Sequence, residues 1–542
     1  MLKINFWRSP FSLILLFSLL LVVYCAAVAT ALAAPGDLDL SFNSIGKLSF
    51  GFGETYSGAN AVAVQPNDKI VVGGFAQNGS IQNCAVARLN SDGTFDPSFN
   101  FGGKLSFAFT AFDCSINDLT IQPDGRIIVA GETSNGANKD FAVARFNSDG
   151  TFDSTFNVNG KFVFDFGNGD DVVSAVLLQP DGKILLTGFS SNGSDNDFAV
   201  IRLNSDGSFD AAFGTNGKLV INRGIDDNVQ SLALQPNGKI LIAGYFKDVA
   251  DNTYHSLLAR LNIDGSLDTG FGVNGYVQSI LDPRGDDFYA VAIQFDGKII
   301  AVGDYNNGAN WGCGIARFNS NGSLDNSFDN DGIKSVYFAG YEYSYINRIV
   351  LQNDGKIILA GASYPTYPNS TFAAARLNWI DGSFDSSFGT NGKITTDFGS
   401  GYNYNRAFGA VVQRDNKLLL TGQTRASSGN YEFAMSRYQT DAPTATGVNV
   451  GGRITLASGR GVPRTLVTLR DMRGQTRTTL SLADGSYQFE DVELNEMYII
   501  RAAAERYTFK PSSQACFVRG ETTNINFVAS KRLLIKKSKA TF

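Results

Sequence analysis

Between Gly46 and Tyr438 the chain repeats one pattern of apolar and polar positions. Each unit holds four short apolar runs separated by turn residues. One unit reads "GKFVFDF" (160–166), "VSAVLLQ" (173–179), "KILLTGF" (183–189) and "FAVIRLN" (198–204). Runs of that length bounded by Gly, Asp and Asn predict strands, and no stretch of the region sustains a helical period. The runs are apolar on both faces, which predicts strands covered from both sides. Asp-Gly or Asn-Gly separates the second run from the third and predicts a two-residue hairpin. A ring of four-stranded sheets, each packed on two neighbours, supplies that cover, so the fold expected is an all-β propeller. A solenoid is the alternative, although the unit is long for one coil.

"AVARLN" and its variants place Arg at 88, 145, 202, 260, 317, 376 and 437, at intervals of 57, 57, 58, 57, 59 and 61. The three hairpin-linked runs are termed A, B and C, and the "GK" run D. There are seven A-B-C sets, and seven D runs starting at Gly46, Gly103, Gly160, Gly217, Gly275, Gly332 and Gly392. The first D precedes any A, and no D follows the last C. This offset predicts a seven-bladed β-propeller closed by its N-terminal strand, with 46–52 beside 433–438. Closure removes a sheet edge that invites aggregation. Each Arg also precedes an Asp: Arg88 and Asp96, Arg145 and Asp153, Arg202 and Asp210, Arg260 and Asp268, Arg317 and Asp325, Arg376 and Asp385. Arg437 lacks a downstream Asp and Asp39 an upstream Arg, so closure is expected to bring those two together. Such pairs fix geometry. Apolar burial, about 1.5–3 kcal/mol for each Val, Ile or Leu, supplies most of the stability.

"DGSFDAAFGTNGKLV", then "SLALQPNGKILIAG" and "LLARLN", resemble the delta-60 repeat family of bacterial exported proteins over 36–440. The resemblance implies a β-propeller at the cell surface or outside the cell, and it brings no catalytic residue. Phe295, Asn353 and Arg414 stand where other units have Pro, which leaves the turn intact. A linker at 441–446 follows. "GGRITLASGRGVPRTLVTLRD", "ADGSYQFEDVELNEMYIIRA" and "TTNINFVAS" then alternate as short strands, predicting a small β-sandwich over 447–530. The sequence G-R-I, G-V-P, D-G-S-Y-x-F and Tyr498 resembles the carboxypeptidase regulatory-like domain, related to the transthyretin fold. That resemblance implies a non-catalytic module without peptidase activity.

Residues 1–33 read as an export signal: Lys3 and Arg8, an apolar run from Phe11 to Leu32, and the small-x-small site Ala31-Leu32-Ala33, so the mature chain is expected to begin at Ala34. An uncleaved anchor is the alternative, because the run is nearly long enough to span a bilayer. No membrane span is expected after cleavage. Cys25 follows a bulky Tyr24 and is a poor lipoprotein site. Loss of Lys3 and Arg8 takes the formal charge from −6 to −8, and the basic tail 531–542 and the sandwich leave −15 on 35–445. A surface that acidic repels phosphate backbones, which excludes nucleic-acid partners. Four later cysteines, Cys84, Cys114, Cys313 and Cys516, are too few for a disulfide scaffold. Cys84 and Cys313 take the repeat position of Phe141, Phe198, Phe372 and Phe433, so both are expected as buried apolar fillers, too far apart to bond each other.

Candidate chemistry is sparse. The one histidine, His255, is expected in a surface loop, which excludes a histidine triad and a multi-histidine metal site. No phosphate loop or dinucleotide fingerprint occurs. The A–B and C–D turns share one face. The B–C and D–A loops share the other and carry the variation between units, where binding usually sits. Aromatic residues gather in those loops: Tyr305, Trp311, Tyr341, Tyr343, Tyr345, Tyr364, Tyr367, Tyr402 and Tyr404. Exposed rings there stack on sugars or peptides. Acidic pairs precede three A runs near the channel mouth: Asp170-Asp171, Asp226-Asp227 and Asp286-Asp287. These are weak Ca²⁺ ligand candidates, and no other cofactor is implied. The function expected is a secreted or surface-bound, non-enzymatic binding or scaffold protein contacting glycan or protein. The alternative is a polysaccharide-acting enzyme using the acidic pairs as acid and base.

Overall fold

A computed structural model describes residues 33–440 and 448–531, except 54, 168, 279, 282–286, 307–310, 339–342, 400–403, 472–473, 493–495, 505, 519–521 and 523. The expected signal (1–32 of it), the linker at 441–446 and the tail beyond Lys531 lie outside the described residues, as do Tyr341, Tyr402, Asp286 and the Trp311 side chain. Every regular element among the described residues is a β-strand.

The runs fold as antiparallel A-B-C-D meanders. Asp171–Leu178, Ile184–Ser191, Asn196–Leu203 and Lys218–Ile221 pair in that order. Four more sheets of this kind begin at Cys114, Asp227, Phe288 and Tyr343. The first set, Tyr56–Val64, Ile70–Asn78, Ile81–Leu89 and Lys104–Phe107, joins the last, Asn405–Val412, Leu418–Arg425 and Tyr431–Tyr438, in strand pairing through a parallel bridge between Tyr56 and Tyr431. Lys47–Phe50 runs antiparallel along Tyr431–Tyr438, with Ser49 opposite Ala434 and Phe50 opposite Phe433.

The two-faced apolar runs are explained by where the core lies, which is between sheets. Ile128, Val143 and Phe162 of one sheet pack with Val173, Leu186 and Ile201 of the next. The same holds for the last set and the first, where Leu419, Phe433 and Met435 share a cluster with Ile70, Val72 and Leu89. A C strand such as Asn196–Leu203 is therefore buried along nearly its whole length.

The A–B turns are not the two-residue hairpins expected from Asp-Gly. The Gly125 N–H donates to Gln122 O, and the Gln122 N–H donates to Arg126 O. Gly125 has φ 86°, while Asp124 keeps negative φ. This is a type I turn closed by a glycine bulge, and Pro123 presets the φ of its second position. In the first and last sets Asp68 (φ 63°) and Asn416 (φ 64°) stand in the glycine's place.

After the linker, Val448–Leu456, Ser486–Val492, Tyr507–Lys510 and Phe527–Lys531 form one four-stranded sheet, and Leu466–Asp471, Thr476–Leu480, Glu496–Ala503 and Ser513–Val518 another. Val450, Ile454, Phe489 and Phe527 of the first share a core with Val467, Leu469 and Ile500 of the second.

Candidate binding face

The Arg–Asp recurrence forms one node per set. Arg88, Arg145, Arg202 and Arg437 lie 2.7 Å from Asp96, Asp153, Asp210 and Asp39; Arg260 and Arg317 lie 2.6 Å from Asp268 and Asp325, and Arg376 lies 2.8 Å from Asp385. A second cation, which the sequence reading missed, reaches each of these carboxylates: Lys69, Arg126, Lys183, Lys239, Lys298, Lys356 and Lys417 from the A–B turns. Burial would raise the Asp325 carboxyl, but hydrogen bonds from Lys298 and Ser327 and the Arg317 charge outweigh it and hold it at about 2. Each guanidinium also covers a buried ring, as Arg437 does Phe42 at 4.9 Å. Arg88 donates onward to Ser148 O of the next unit, and Arg437 to Ser91 O of the first. These groups are spent on joining sheets.

Each A strand carries one β-bulge, which re-aims a side chain. The bulged residues are Asn60, Asn117, Ser174, Gln230, Tyr289, Asn347 and Phe408. All seven, with Arg348, line one cavity of about 260 Å³. Asn60, Asn117 and Asn347 donate to Ile116 O (2.8 Å), Val173 O (2.9 Å) and Ala407 O (2.8 Å), each in the A strand of the next sheet. Burial pushes the nearby Asp118 carboxyl up, against the Arg348 charge.

The aromatic residues of the last two sets come together. Tyr343 and Tyr345 meet edge to face at 4.4 Å, and Tyr345 and Tyr364 at 5.9 Å. Tyr367 stacks on Tyr364 at 6.2 Å and 26°. The Arg406 guanidinium bridges to the next sheet, 5.5 Å over Tyr364 and 4.4 Å over Tyr404. Tyr404 meets Tyr431 at 5.1 Å, and Tyr431 meets Tyr56 at 5.2 Å. Tyr364 is only 1% exposed, so it supports the patch and cannot itself meet a ligand; Tyr367, 72% exposed, presents its face. Burial pushes the Tyr364 hydroxyl up to about 12, so it stays neutral. Among the described residues its Oη and the Arg406 Nε are buried without hydrogen-bond partners. Tyr305 stands apart, pairing with Tyr337 at 6.5 Å.

The acidic pairs split. Asp170 is exposed and accepts the Lys139 N–H at 2.9 Å, whereas Asp171 is fully buried. Asp226 accepts from Asn196 at 2.8 Å and Tyr254 at 3.1 Å, whereas Asp227 is fully buried. Asp287 is half-buried. None of these described residues lines the bulge cavity. His255 is not in a surface loop: it lies in Tyr254–Leu261, is 8% exposed, packs on Phe246 at 5.5 Å and bonds Asp251 at 3.0 Å. Burial follows from its strand position, second in a C strand. Cys84 is buried, as expected, but it is not merely a filler, since it forms a disulfide with Cys114. Comparison of equivalent positions could not show this, because the partner comes from the A strand of the neighbouring sheet. Cys313 is buried and forms no disulfide; its thiol donates to Ser344 O at 3.2 Å.

Six segments, 65–99, 122–156, 179–213, 235–271, 294–328 and 352–388, match a family model described as "Domain of unknown function (DUF5122) beta-propeller". Each match runs from the A–B turn past the Arg–Asp pair, so the repeats are of β-propeller type. No curated protein matches the chain. Among solved structures, a catalytically inactive virginiamycin B lyase from Staphylococcus aureus with quinupristin is similar at 12% identity, covering 72% of this chain and 98% of that one, with a TM-score of 0.42. Sqt1 from Chaetomium thermophilum is similar at 13% identity, with 73% and 98% covered and a TM-score of 0.42. A protein of unknown function from Dyadobacter fermentans is similar at 15% identity, with 73% and 98% covered and a TM-score of 0.40.

Proposed function

We propose that the chain is a secreted or cell-surface, non-catalytic binding protein: a seven-bladed propeller latched by its N-terminal strand, contacting a glycan or a surface protein through its B–C and D–A loops. The pairing of Lys47–Phe50 with the last C strand, and the apolar cluster shared by the last and first sets, support closure. The repeated phrases support a place in the delta-60 repeat family. The two sheets at 448–531 support a regulatory-like module, and the apolar leader at 1–33 supports export.

The observation that carries the binding reading is Tyr367, an exposed ring stacked on a buried one, with Arg406 behind. A ring already held in place loses little freedom when a sugar or peptide stacks on it. The adjacent Arg406 gives a charged donor suited to hydroxyl or carboxylate oxygens. The test is a glycan array together with capture from surface extracts, using the intact chain, Tyr367→Ala and Arg406→Ala. Binding weakened about tenfold or more in both variants, at unchanged melting temperature, is expected. A ligand held equally by the intact chain and both variants would place recognition elsewhere.

A further inference from the structure

We infer that Asp140, Asp165 and Asp171 form a divalent-cation site, best suited to Ca²⁺, at the seam between two successive sheets. This goes beyond the binding face and does not depend on it. Asp140 is the second residue of the C strand Lys139–Phe146, Asp165 follows the D strand Lys161–Phe164, and Asp171 opens the A strand of the next sheet. One carboxylate oxygen from each lies within 4.8 Å of the others. Oxygens at that separation fit around one ion with Ca–O distances of about 2.3–2.6 Å, after small adjustment.

Among the described residues no cation pairs with the cluster. Lys139 turns to Glu132, 3.7 Å away. The charges acting on Asp171 are those of Asp165 and Asp140, both unfavourable. Its Oδ2 accepts the Phe166 N–H at 2.6 Å and the Ser190 hydroxyl also favours the charged form, but among the described residues its Oδ1 is buried without a hydrogen-bond partner, in a residue 0% exposed. Of the other members, Asp140 takes Asn135 Nδ2 at 3.2 Å, and Asp165 takes the Gly167 N–H at 2.7 Å. A buried anionic oxygen left unpaired is costly, and a shared cation removes that cost at Asp171 while easing the repulsion among the three carboxylates. Without one, burial and the neighbouring acids push Asp171 up to about 6.

The next seam repeats the arrangement with one carboxylate fewer. Asn222 takes the third place and bonds Asp197, while Asp227 keeps a buried Oδ1 without a partner among the described residues. This second cradle should bind more weakly. Three carboxylates from segments of unequal reach suit the irregular shell of Ca²⁺ better than the rigid octahedron of Mg²⁺.

The test uses the full chain stripped with EGTA, titrated calorimetrically with CaCl₂ and MgCl₂, and melted with and without Ca²⁺. Saturable Ca²⁺ binding and a higher melting temperature in Ca²⁺ are expected. Asp165→Asn, at an exposed position, should weaken binding by about tenfold or more. Asp171→Asn should abolish the Ca²⁺ response while raising the melting temperature in EGTA, since it removes the buried charge. If Asp171→Asn fails to fold, Asp165→Asn decides. Absence of Ca²⁺ binding and of a melting shift at millimolar Ca²⁺, or equal binding by the intact chain and Asp165→Asn, overturns the proposal.

Discussion

Replacing Asp39 with Asn removes the carboxylate that ties the start of the fold to its last C strand. Asp39 Oδ2 lies 2.7 Å from Arg437 Nε and 3.0 Å from Lys417 Nζ, and Ser41 and Gln439 also donate to the carboxylate. The Asp39 and Arg437 side chains are each 4% exposed, so the variant leaves a buried guanidinium without its counter-charge. Breaking such a pair costs about 3–5 kcal/mol. The amide oxygen of Asn still accepts one bond, which favours the lower end. The loss falls on the segment that carries Lys47–Phe50, so its amides should exchange roughly a hundredfold faster. Hydrogen–deuterium exchange read by mass spectrometry measures this, with Asp153→Asn as the same change within one unit. Asp153→Asn should leave 47–50 protected. Burial alone would raise the Asp39 carboxyl, but Ser41, Lys417 and Arg437 together lower it. A lowered carboxyl stabilises the fold above the ordinary carboxylate range and loses that effect as pH falls, so acidification below about pH 4 should loosen the same strand. Exchange at 47–50 within about twofold of the intact chain in Asp39→Asn would refute the reasoning.

Two further outcomes follow from single positions. Asp68→Gly, at a left-handed position that five other units fill with glycine, should stabilise the chain by up to about 1 kcal/mol in denaturant unfolding; destabilisation would mean that the Asp68 side chain makes bonds outweighing the strain. Asp171 and Asp227 are both pushed by burial to about 6, so in EGTA the melting temperature should fall as pH rises from about 4 through 6, the sign for a carboxyl raised in the fold. A melting temperature that rises over that range in EGTA would show other carboxylates dominating.

The strand runs and their offset were legible because each strand is buried on both faces and therefore written as a near-continuous apolar run. The Arg–Asp node was legible because both members recur at fixed spacing. Its second cation was not: Lys69 and Asp96 lie 27 positions apart in different turns, and a lysine after Asn-Asp or Asp-Gly reads as ordinary turn chemistry. The bulge cavity was hidden for another reason. Its bulged residues are Asn, Asn, Ser, Gln, Tyr, Asn and Phe, joined by Arg348, so only their position, and no residue type, marks them. Aromatic loops were visible, but which ring is presented was not, since Tyr364 and Tyr367 lie three residues apart with opposite exposure. The cation site was half visible: Asp171 stood out, while Asp140 and Asp165 join it only through the packing of two sheets.

The proposed latch can be trapped. Ser49 and Ala434 face each other across the Lys47–Phe50 pairing with Tyr431–Tyr438, and facing residues in an antiparallel pair have Cα atoms about 4.5–5.5 Å apart, within disulfide range. The double variant Ser49→Cys with Ala434→Cys, oxidised in dilute solution and mapped by peptide mass spectrometry, should yield an intramolecular 49–434 cross-link in most molecules. No such cross-link, or one formed only between molecules, would contradict a ring closed by its own first strand.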